Sequence, residues 1–199
     1  MSVNPDLIHV AVAGKDGTAS AAFFAPAGTE VPSDADDAVS NLDSAFLDLG
    51  YVGTDGMTLS TDTESEDIDA FGSFATVRRV ISKESRSFTV VGLETNAVSQ
   101  AIQYRLPLTG SGAPTVDGDG SFTVDAGEAR SVRYAAVFFA EDGDDLIVYC
   151  YPNIELSEVG DETASRGAAV QYEFTFTAYP DSDGKAVIKH VQKGALSAS

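Results

Sequence analysis

The segment YEFTFTAYPD, residues 172–181, decides the expected fold because its first seven residues alternate between apolar and polar side chains. A period of two places alternate side chains on opposite faces of a β-strand. The apolar set is Tyr172, Phe174, Phe176 and Ala178, and the polar set is Glu173, Thr175 and Thr177. The pattern predicts a strand with one buried and one solvated face.

The surrounding sequence has the same β character. Further strands are predicted within 120–127, 130–142, 145–160 and 185–193, and in 130–142 the inward set includes Tyr134 and Ala136. The turn sequences DGDG, EDGDD and DSDG separate these segments at hairpin spacing. Two more hairpins are predicted, one across 7–26 that turns at GKDG and one across 75–94 that turns at SKES. The expected fold is a β-sandwich or barrel.

One short helix is expected to flank the sheet, within ETNAVSQAIQYRL, residues 94–106. Thr95 or Asn96 would cap it, and Val98, Ile102 and Leu106 would point inward. Residues 28–49 leave two alternatives open. They form either a helix that begins after Pro32–Ser33 or an extended arm with a single turn of helix.

We expect a single domain over residues 1–199, because a chain of this length fits one core. It would comprise an N-terminal hairpin and arm, about 1–50, and a long polar loop, about 50–76. That loop is rich in turn-forming residues and poor in aliphatic ones. Loops of such length in a compact domain are usually functional or ordered by a partner.

The charge is strongly negative and uneven. The net charge is −19, of which residues 1–76 hold −13 (14 acids, one lysine) and residues 77–199 hold −6 (17 acids, 11 bases). This excess of acid argues against affinity for nucleic acid or for anionic membranes. An acidic surface for a basic partner, a face that repels nucleic acid and adaptation to high salt all remain open.

The ends of the chain and its one cysteine suggest where it is made. The N-terminus lacks a secretion-signal pattern, and no apolar run approaches the length of a membrane span. Cys150 lies in an apolar segment, which predicts a buried thiol without a redox role. We expect a reducing cytoplasm, or an assembly built there.

Two acidic segments are candidate metal sites. Asp117, Asp119 and Glu128 have the spacing of a calcium loop, but Phe122 stands where the loop needs glycine, so a plain hairpin turn is favoured. The acidic run of 62–69 lacks glycines to wrap a backbone around an ion, so a solvated segment is favoured there. We expect no metal and no cofactor.

Catalytic motifs are missing from the sequence. His9 and His190 lie on predicted strands outside any motif, and no nucleophile is paired with a base. An enzyme is therefore not expected. Arg78 and Arg79 are expected to pair with carboxylates of the preceding segment or of a neighbouring subunit.

An ordered series of short segments resembles the major tail proteins of long-tailed bacteriophages, particularly those of actinobacterial hosts. The segments are PSDA (32–35), FLDLGYVGTDG (46–56), SEDIDAFG (65–72), VRRV (77–80), FTVVGLETN (88–96), YPNIELSEVG (151–160) and YEFTFTAYPD (172–181). Phe71 stands where those proteins have tryptophan.

The resemblance implies a tail tube subunit of a non-contractile tail. Such subunits form hexameric rings that stack into a hollow tube, built in the host cytoplasm around a tape-measure protein and joined to tail terminator and distal tail or baseplate proteins. DNA passes through the lumen without specific binding. In this interpretation the acidic segment meets the next subunit or ring, and the expected interface residues are Glu64, Glu66, Asp67, Asp69, Phe71, Arg78 and Arg79.

Two functions of other classes compete with this one. A secreted calcium-binding β-sandwich, such as a carbohydrate-binding module, needs an intact calcium loop, an aromatic platform and an export signal. The chain has no tryptophan and lacks the signal pattern. An acidic enzyme from a salt-loving organism would need a catalytic constellation that the sequence does not contain.

Overall fold

The structure is a computed structural model that describes residues 10–11, 14–15, 19–72, 75–128, 130–162, 166–167 and 169–194. In these ranges the chain is mainly β, as predicted, with two helices where one was expected. The strands are β1 (Ala22–Pro26), β2 (Leu47–Asp48), β3 (Val52–Ile68), β4 (Arg78–Gly92), β5 (Thr115–Val116), β6 (Phe122–Thr123), β7 (Arg133–Asp142), β8 (Asp145–Val159), β9 (Tyr172–Ala178) and β10 (Ile188–Gln192). The helices are α1 (Ala35–Ser40) and α2 (Ala97–Gln103).

Eight strands form one antiparallel sheet in the order β2-β1-β7-β8-β9-β4-β3, and β10 pairs with β8 beside this path. The long β8 pairs with β7 along one edge, and along its other edge its first part pairs with β10 and its last part pairs with β9. The remaining strands, β5 and β6, form a separate two-stranded hairpin.

The sheet curls around an aromatic core. Strands β1 and β9 are three strand spacings apart, roughly 14 Å in a flat sheet. The rings of Phe24 on β1 and Phe176 on β9 are nevertheless only 5.3 Å apart. Phe176 also stacks on Phe88 of β4 at 5.0 Å, and α2 covers the cluster with Ile102. The apolar set predicted for β9 is buried here, so its predicted alternation is confirmed.

A second, smaller core lies on the opposite side of β1, β7 and β8. Helix α1 packs there beside β8 and β10, and its Ala35 and Ala38 belong to the same buried cluster as Val137 and Phe139 of β7. Strand β7 is therefore buried on both faces. The predicted alternation holds for Tyr134 and Ala136, but the intervening residues are apolar because they face the second core.

Two predictions for residues 50–94 were wrong. The expected loop is mostly the 17-residue strand β3, and the SKES sequence lies inside continuous β4 rather than at a turn. The two strands pair along most of their length, which satisfies the backbone hydrogen-bonding groups that point from one strand to the other. Their outer halves are exposed on both faces, so the period-two signal of a half-buried strand is missing.

The helix predictions were partly right. Asn96 caps α2 as predicted, and Ile102 and Leu106 are buried. Helix α1 has only six residues and is capped by Asp34, so the alternative of an arm with one turn of helix was closer. Of the hairpin predicted at 7–26, the second strand is β1, and most of the first lies outside the described residues. Neither described helix is long and apolar enough to cross a membrane.

Candidate functional site

The hairpin of β3 and β4 extends past the body of the protein. Strand β9 pairs with β4 only over Arg86–Gly92, which leaves the outer part of β4 with an open edge. We call Ser60–Ile68 together with Arg78–Ser85 the distal ribbon. All of its residues except Ser85 are exposed. A two-stranded ribbon with no packed face is at best marginally stable in water, so the distal ribbon needs a surface to pack on.

One face of the distal ribbon carries acids on β3 and bases on β4. Residues paired across antiparallel strands point to the same face, and Glu64 lies opposite Lys83 while Ile68 lies opposite Arg78. A bulge between these pairs leaves Ser82 of β4 unmatched without interrupting the alternation of β3. The face therefore presents Asp62, Glu64 and Glu66 from β3, and Lys83, Val80 and Arg78 from β4.

The opposite face of the ribbon holds a two-point ion pair. Arg79 Nε donates to Asp67 Oδ1 at 2.7 Å, and Arg79 Nη2 donates to Asp67 Oδ2 at 3.0 Å. These hydrogen bonds lower the pKa of the Asp67 carboxyl below its ordinary value. The prediction that an arginine of this pair would meet a carboxylate of the preceding segment is confirmed for Arg79, within one chain.

The tip of the hairpin exposes apolar side chains. Val77 N donates to Ile68 O at 2.9 Å and closes the ribbon. Phe71 lies in the turn beyond it, two residues after Asp69, with a relative exposure of 111%. Ile68, Val77 and Ile81 are also exposed. A fully exposed aromatic ring is the kind of side chain that anchors a contact between proteins, which fits the anchor predicted at Phe71.

The predicted interface residues thus lie on one hairpin. Glu64, Glu66 and Asp67 belong to β3, Asp69 and Phe71 follow it, and the two arginines begin β4. The same hairpin supplies Lys83, whose Nζ lies 3.5 Å from Glu64 Oε1. This exposed pair contributes little to stability.

A polar face of the sheet continues from the distal ribbon toward the body. It lies opposite the aromatic core and is not covered by α1. Thr89 of β4 and Thr175 of β9 share a hydrogen bond on it, 2.9 Å between their oxygens. The other members found by strand register are Thr58, Ser60, Ser85, Ser87, Glu155, Glu158, Glu173 and Thr177. At its border Arg133 Nε lies 3.6 Å from Glu155 Oε2.

The candidate calcium loop is a β-turn. Asp117 N donates to Ser121 O at 2.7 Å and Gly120 N donates to Asp117 O at 3.0 Å, which joins β5 to β6 as the favoured interpretation predicted. Glu128 lies beyond β6, outside this turn. In the part of the chain that the structure describes, no group of three or more histidine, cysteine, aspartate or glutamate residues could hold a metal ion.

The cysteine and the two histidines are the remaining side chains that the sequence offers as reactive groups. Cys150 is buried in the second core, and burial raises the pKa of its thiol to about 12, which keeps it protonated at neutral pH. His190 lies on β10, with Nε2 3.2 Å from the Pro32 carbonyl oxygen. His9 lies outside the described residues.

Comparison with known families identifies the chain. The family described as "Phage tail tube protein" matches residues 1–198, nearly the whole length. The chain belongs to the phage tail tube protein family. Its role is therefore structural, in the tail of a virion, and it is not an enzyme. Family membership also decides against the calcium-binding carbohydrate module. The comparison with curated protein sequences gives no match.

Three solved structures have chains that resemble this tail tube protein. A chain of the native gene transfer agent virion is 13% identical, with a TM-score of 0.38 over 76% of this chain and 92% of that one. A chain of the tail of the empty gene transfer agent particle is 12% identical (TM-score 0.39; 73% and 87% covered). A chain of the sheath–tube complex of an extracellular contractile injection system in its extended state is 10% identical (TM-score 0.35; 96% and 100% covered). Likenesses this weak assign no function to individual residues.

The sequence identified only part of the candidate surface of this tail tube protein. It predicted Glu173, Thr175 and Thr177 on a polar strand face but not Glu155 or Glu158, because the bulge in β8 changes which residues face outward. Ser87 and Thr89 alternate with the buried Phe88 and Val90 on β4, and this alternation would have predicted the rest of the polar face.

Proposed function

We propose that copies of this tail tube protein form hexameric rings, that the rings stack into a hollow tube, and that the tube conducts the viral genome. The observation that carries the proposal is the distal ribbon, which is exposed on both faces and ends at the exposed ring of Phe71. Contacts that close by rotation make rings, and a stacking contact that does not close makes a filament. The copy number of six rests on the resemblance to major tail proteins.

The interface residues in this proposal are those of the hairpin: Glu64, Glu66, Asp67, Asp69, Phe71, Arg78 and Arg79. A ribbon that gains a packed face only in the assembly explains why so long a polar segment is retained. The tube would form in the host cytoplasm around a tape-measure protein, with terminator and distal tail proteins at its ends.

The polar face is the candidate wall of the lumen. It carries hydroxyl groups and the carboxylates of Glu155, Glu158 and Glu173, and Arg133 lies only at its border. An acidic wall repels each phosphate of passing DNA and offers no cation to replace its counterions, so DNA does not adhere. Part of the −19 net charge would thus face the channel.

Negative-stain electron microscopy of the purified protein tests the assembly. The expected result is rings or tubes with a central hole, and uniformly dispersed monomers would contradict it. A helical reconstruction of the tubes then tests the lumen. Glu173, Thr175 and Thr177 should face the channel, whereas a neutral or basic channel with the acids on the outer wall would overturn that part.

A further inference from the structure

The two strands of the hairpin carry opposite charge. Strand β3 holds five acidic residues and no lysine or arginine. Strand β4 holds four of the chain's 12 basic residues and a single acid, Glu84. In a chain with a net charge of −19, a strand with a charge of +3 is a marked local reversal.

Both long edges of the distal ribbon are open. Among the described residues, β3 has no hydrogen-bonded neighbour along the ribbon other than β4. On the other side, β9 ends where Ala178 pairs with Arg86, so no strand that the structure describes pairs with the outer edge of β4 from Arg78 to Ser85. Open strand edges present unpaired backbone donors and acceptors, and proteins commonly protect them with charge. Here the protecting charge differs in sign between the two edges.

We propose that the distal ribbons of neighbouring copies lie edge to edge within a ring, with the acidic β3 of one copy beside the basic β4 of the next. This inference rests on the proposed function, since it specifies the contact that closes the ring. The occupant of each edge is a second copy of this chain, because the edge of one copy complements the opposite edge of another in charge.

The geometry allows this contact to repeat. A rotation about the ring axis keeps all ribbons pointing the same way, so the incoming β4 runs antiparallel to β3, as it does within one chain. Strand β9 occupies the inner part of the β4 edge, so a neighbouring β3 fits only beyond the end of β9. Adjacent copies are then staggered along the strands, as strands are in closed barrels.

The charges also exclude the wrong contacts. Two β3 edges would bring Asp62, Glu64 and Glu66 of one copy against the same acids of another, and two β4 edges would oppose Arg78 and Lys83. Like charges on facing strands are destabilising. Only the head-to-tail contact is attractive, which gives the ring a single direction around its axis and makes the interface heterologous.

Two charge-reversed variants test the inference. The first, Asp62→Lys with Glu66→Lys, gives both strands a net positive charge on the face that carries Glu64 and Lys83, and it leaves the Glu64–Lys83 and Asp67–Arg79 pairs intact. The second, Arg78→Glu with Val80→Glu, gives both strands a net negative charge on the same face and also leaves these two pairs intact. Each variant alone should fail to form tubes by electron microscopy while its far-ultraviolet circular dichroism and thermal unfolding stay close to those of the wild type.

Mixing the two variants is the decisive step. Basic-edged and acidic-edged copies can alternate around a ring of six, because six is even, so an equimolar mixture should regain tubes that contain both variants in a ratio of about one to one. Mass spectrometry of the pelleted tubes measures that ratio. Salt should weaken assembly of the mixture and of the wild type alike, since it screens exposed charges.

A matched control separates the ribbon from net charge. Asp144→Lys with Glu162→Lys makes the same change in net charge at exposed positions outside the ribbon and should form tubes like the wild type. The inference is overturned if either ribbon variant forms tubes alone, if the mixture of folded variants stays dispersed, or if the control also fails. Wild-type protein that forms no tubes would contradict the proposed function itself.

Discussion

The two halves of strand β4 form opposite kinds of surface. In the inner half, Phe88 and Val90 are 3% and 1% exposed and pack in the aromatic core. In the outer half, Val80 and Ile81 are exposed, although they continue the same strand. The change occurs near Arg86, where β9 ends. The inner half stabilises the monomer, and the outer half is available for assembly, so substitutions in the two halves should have separable effects.

The largest effect is expected in the inner half, for Phe176→Ala. Phe176 is fully buried on β9 and contacts the rings of Phe24 and Phe88. Loss of a buried phenyl ring leaves a cavity and lowers the free energy of unfolding by about 3–5 kcal/mol. Urea denaturation followed by circular dichroism measures it. The control Val80→Ala, in the outer half, should change the value by less than about 0.5 kcal/mol. Equal losses of unfolding free energy in the two variants would contradict the division of β4 into a stabilising inner half and an outer half that is free for assembly.

A smaller loss is expected for Tyr134→Phe. The Tyr134 hydroxyl donates to the Leu106 carbonyl oxygen at 2.8 Å, and both residues are buried. Removing the hydroxyl leaves that carbonyl without its partner and lowers the free energy of unfolding by about 1–3 kcal/mol. Tyr51→Phe is the matched control because Tyr51 is exposed. A Tyr134 variant as stable as this control would show that the hydrogen bond contributes nothing.

At the tip of the hairpin, Phe71→Ala should impair assembly and leave the stability of the monomer unchanged. Phe71 is fully exposed, so its removal should change the free energy of unfolding by less than about 0.5 kcal/mol. Tube formation, scored by negative-stain microscopy, should nevertheless be lost. Val116→Ala, at an exposed apolar residue of β5, is the control and should assemble. Intact tubes from the Phe71 variant would show that its ring is not an anchor.

The smallest expected effect is the change in the pKa of Asp67 when its ion pair in the distal ribbon is removed. Arg79 lowers the pKa of Asp67, so the pair is stabilising above the ordinary aspartate pKa and loses its contribution as the pH falls through the lowered value. An NMR titration of the Asp67 carboxyl measures this shift. Arg79→Gln should return the pKa toward its ordinary value, and no change on that substitution would contradict the ion pair.

The sequence predicted the inner half of the molecule better than the outer half. Alternation of aromatic and polar residues at 172–178 identified β9 and its buried face, and Asn96 identified the start of α2. Both patterns reflect interactions that form within one chain, namely a buried strand face and a helix cap. The distal ribbon has no buried face in the monomer, so its strands left no alternation to detect, and 50–76 was predicted as a loop.

The predicted interface residues were found by a different signal. Acidic residues followed by Phe71 and two arginines indicated a surface for a partner, and the structure places them on one hairpin. The separation of acids and bases onto opposite edges was not predicted, because it follows from the pairing of β3 with β4. Sequence reasoning that treats a segment as a loop cannot assign its residues to edges or faces.

The central claim is that the inner sheet is stable in the monomer whereas the distal ribbon gains its order on assembly. Amide hydrogen exchange, measured by mass spectrometry on dispersed protein and on tubes, tests it most directly. Peptides that cover 172–178 should be protected in both states. Peptides that cover 60–68 and 78–85 should exchange rapidly in the dispersed protein and become protected in tubes. Equal exchange of the ribbon in both states would contradict the account.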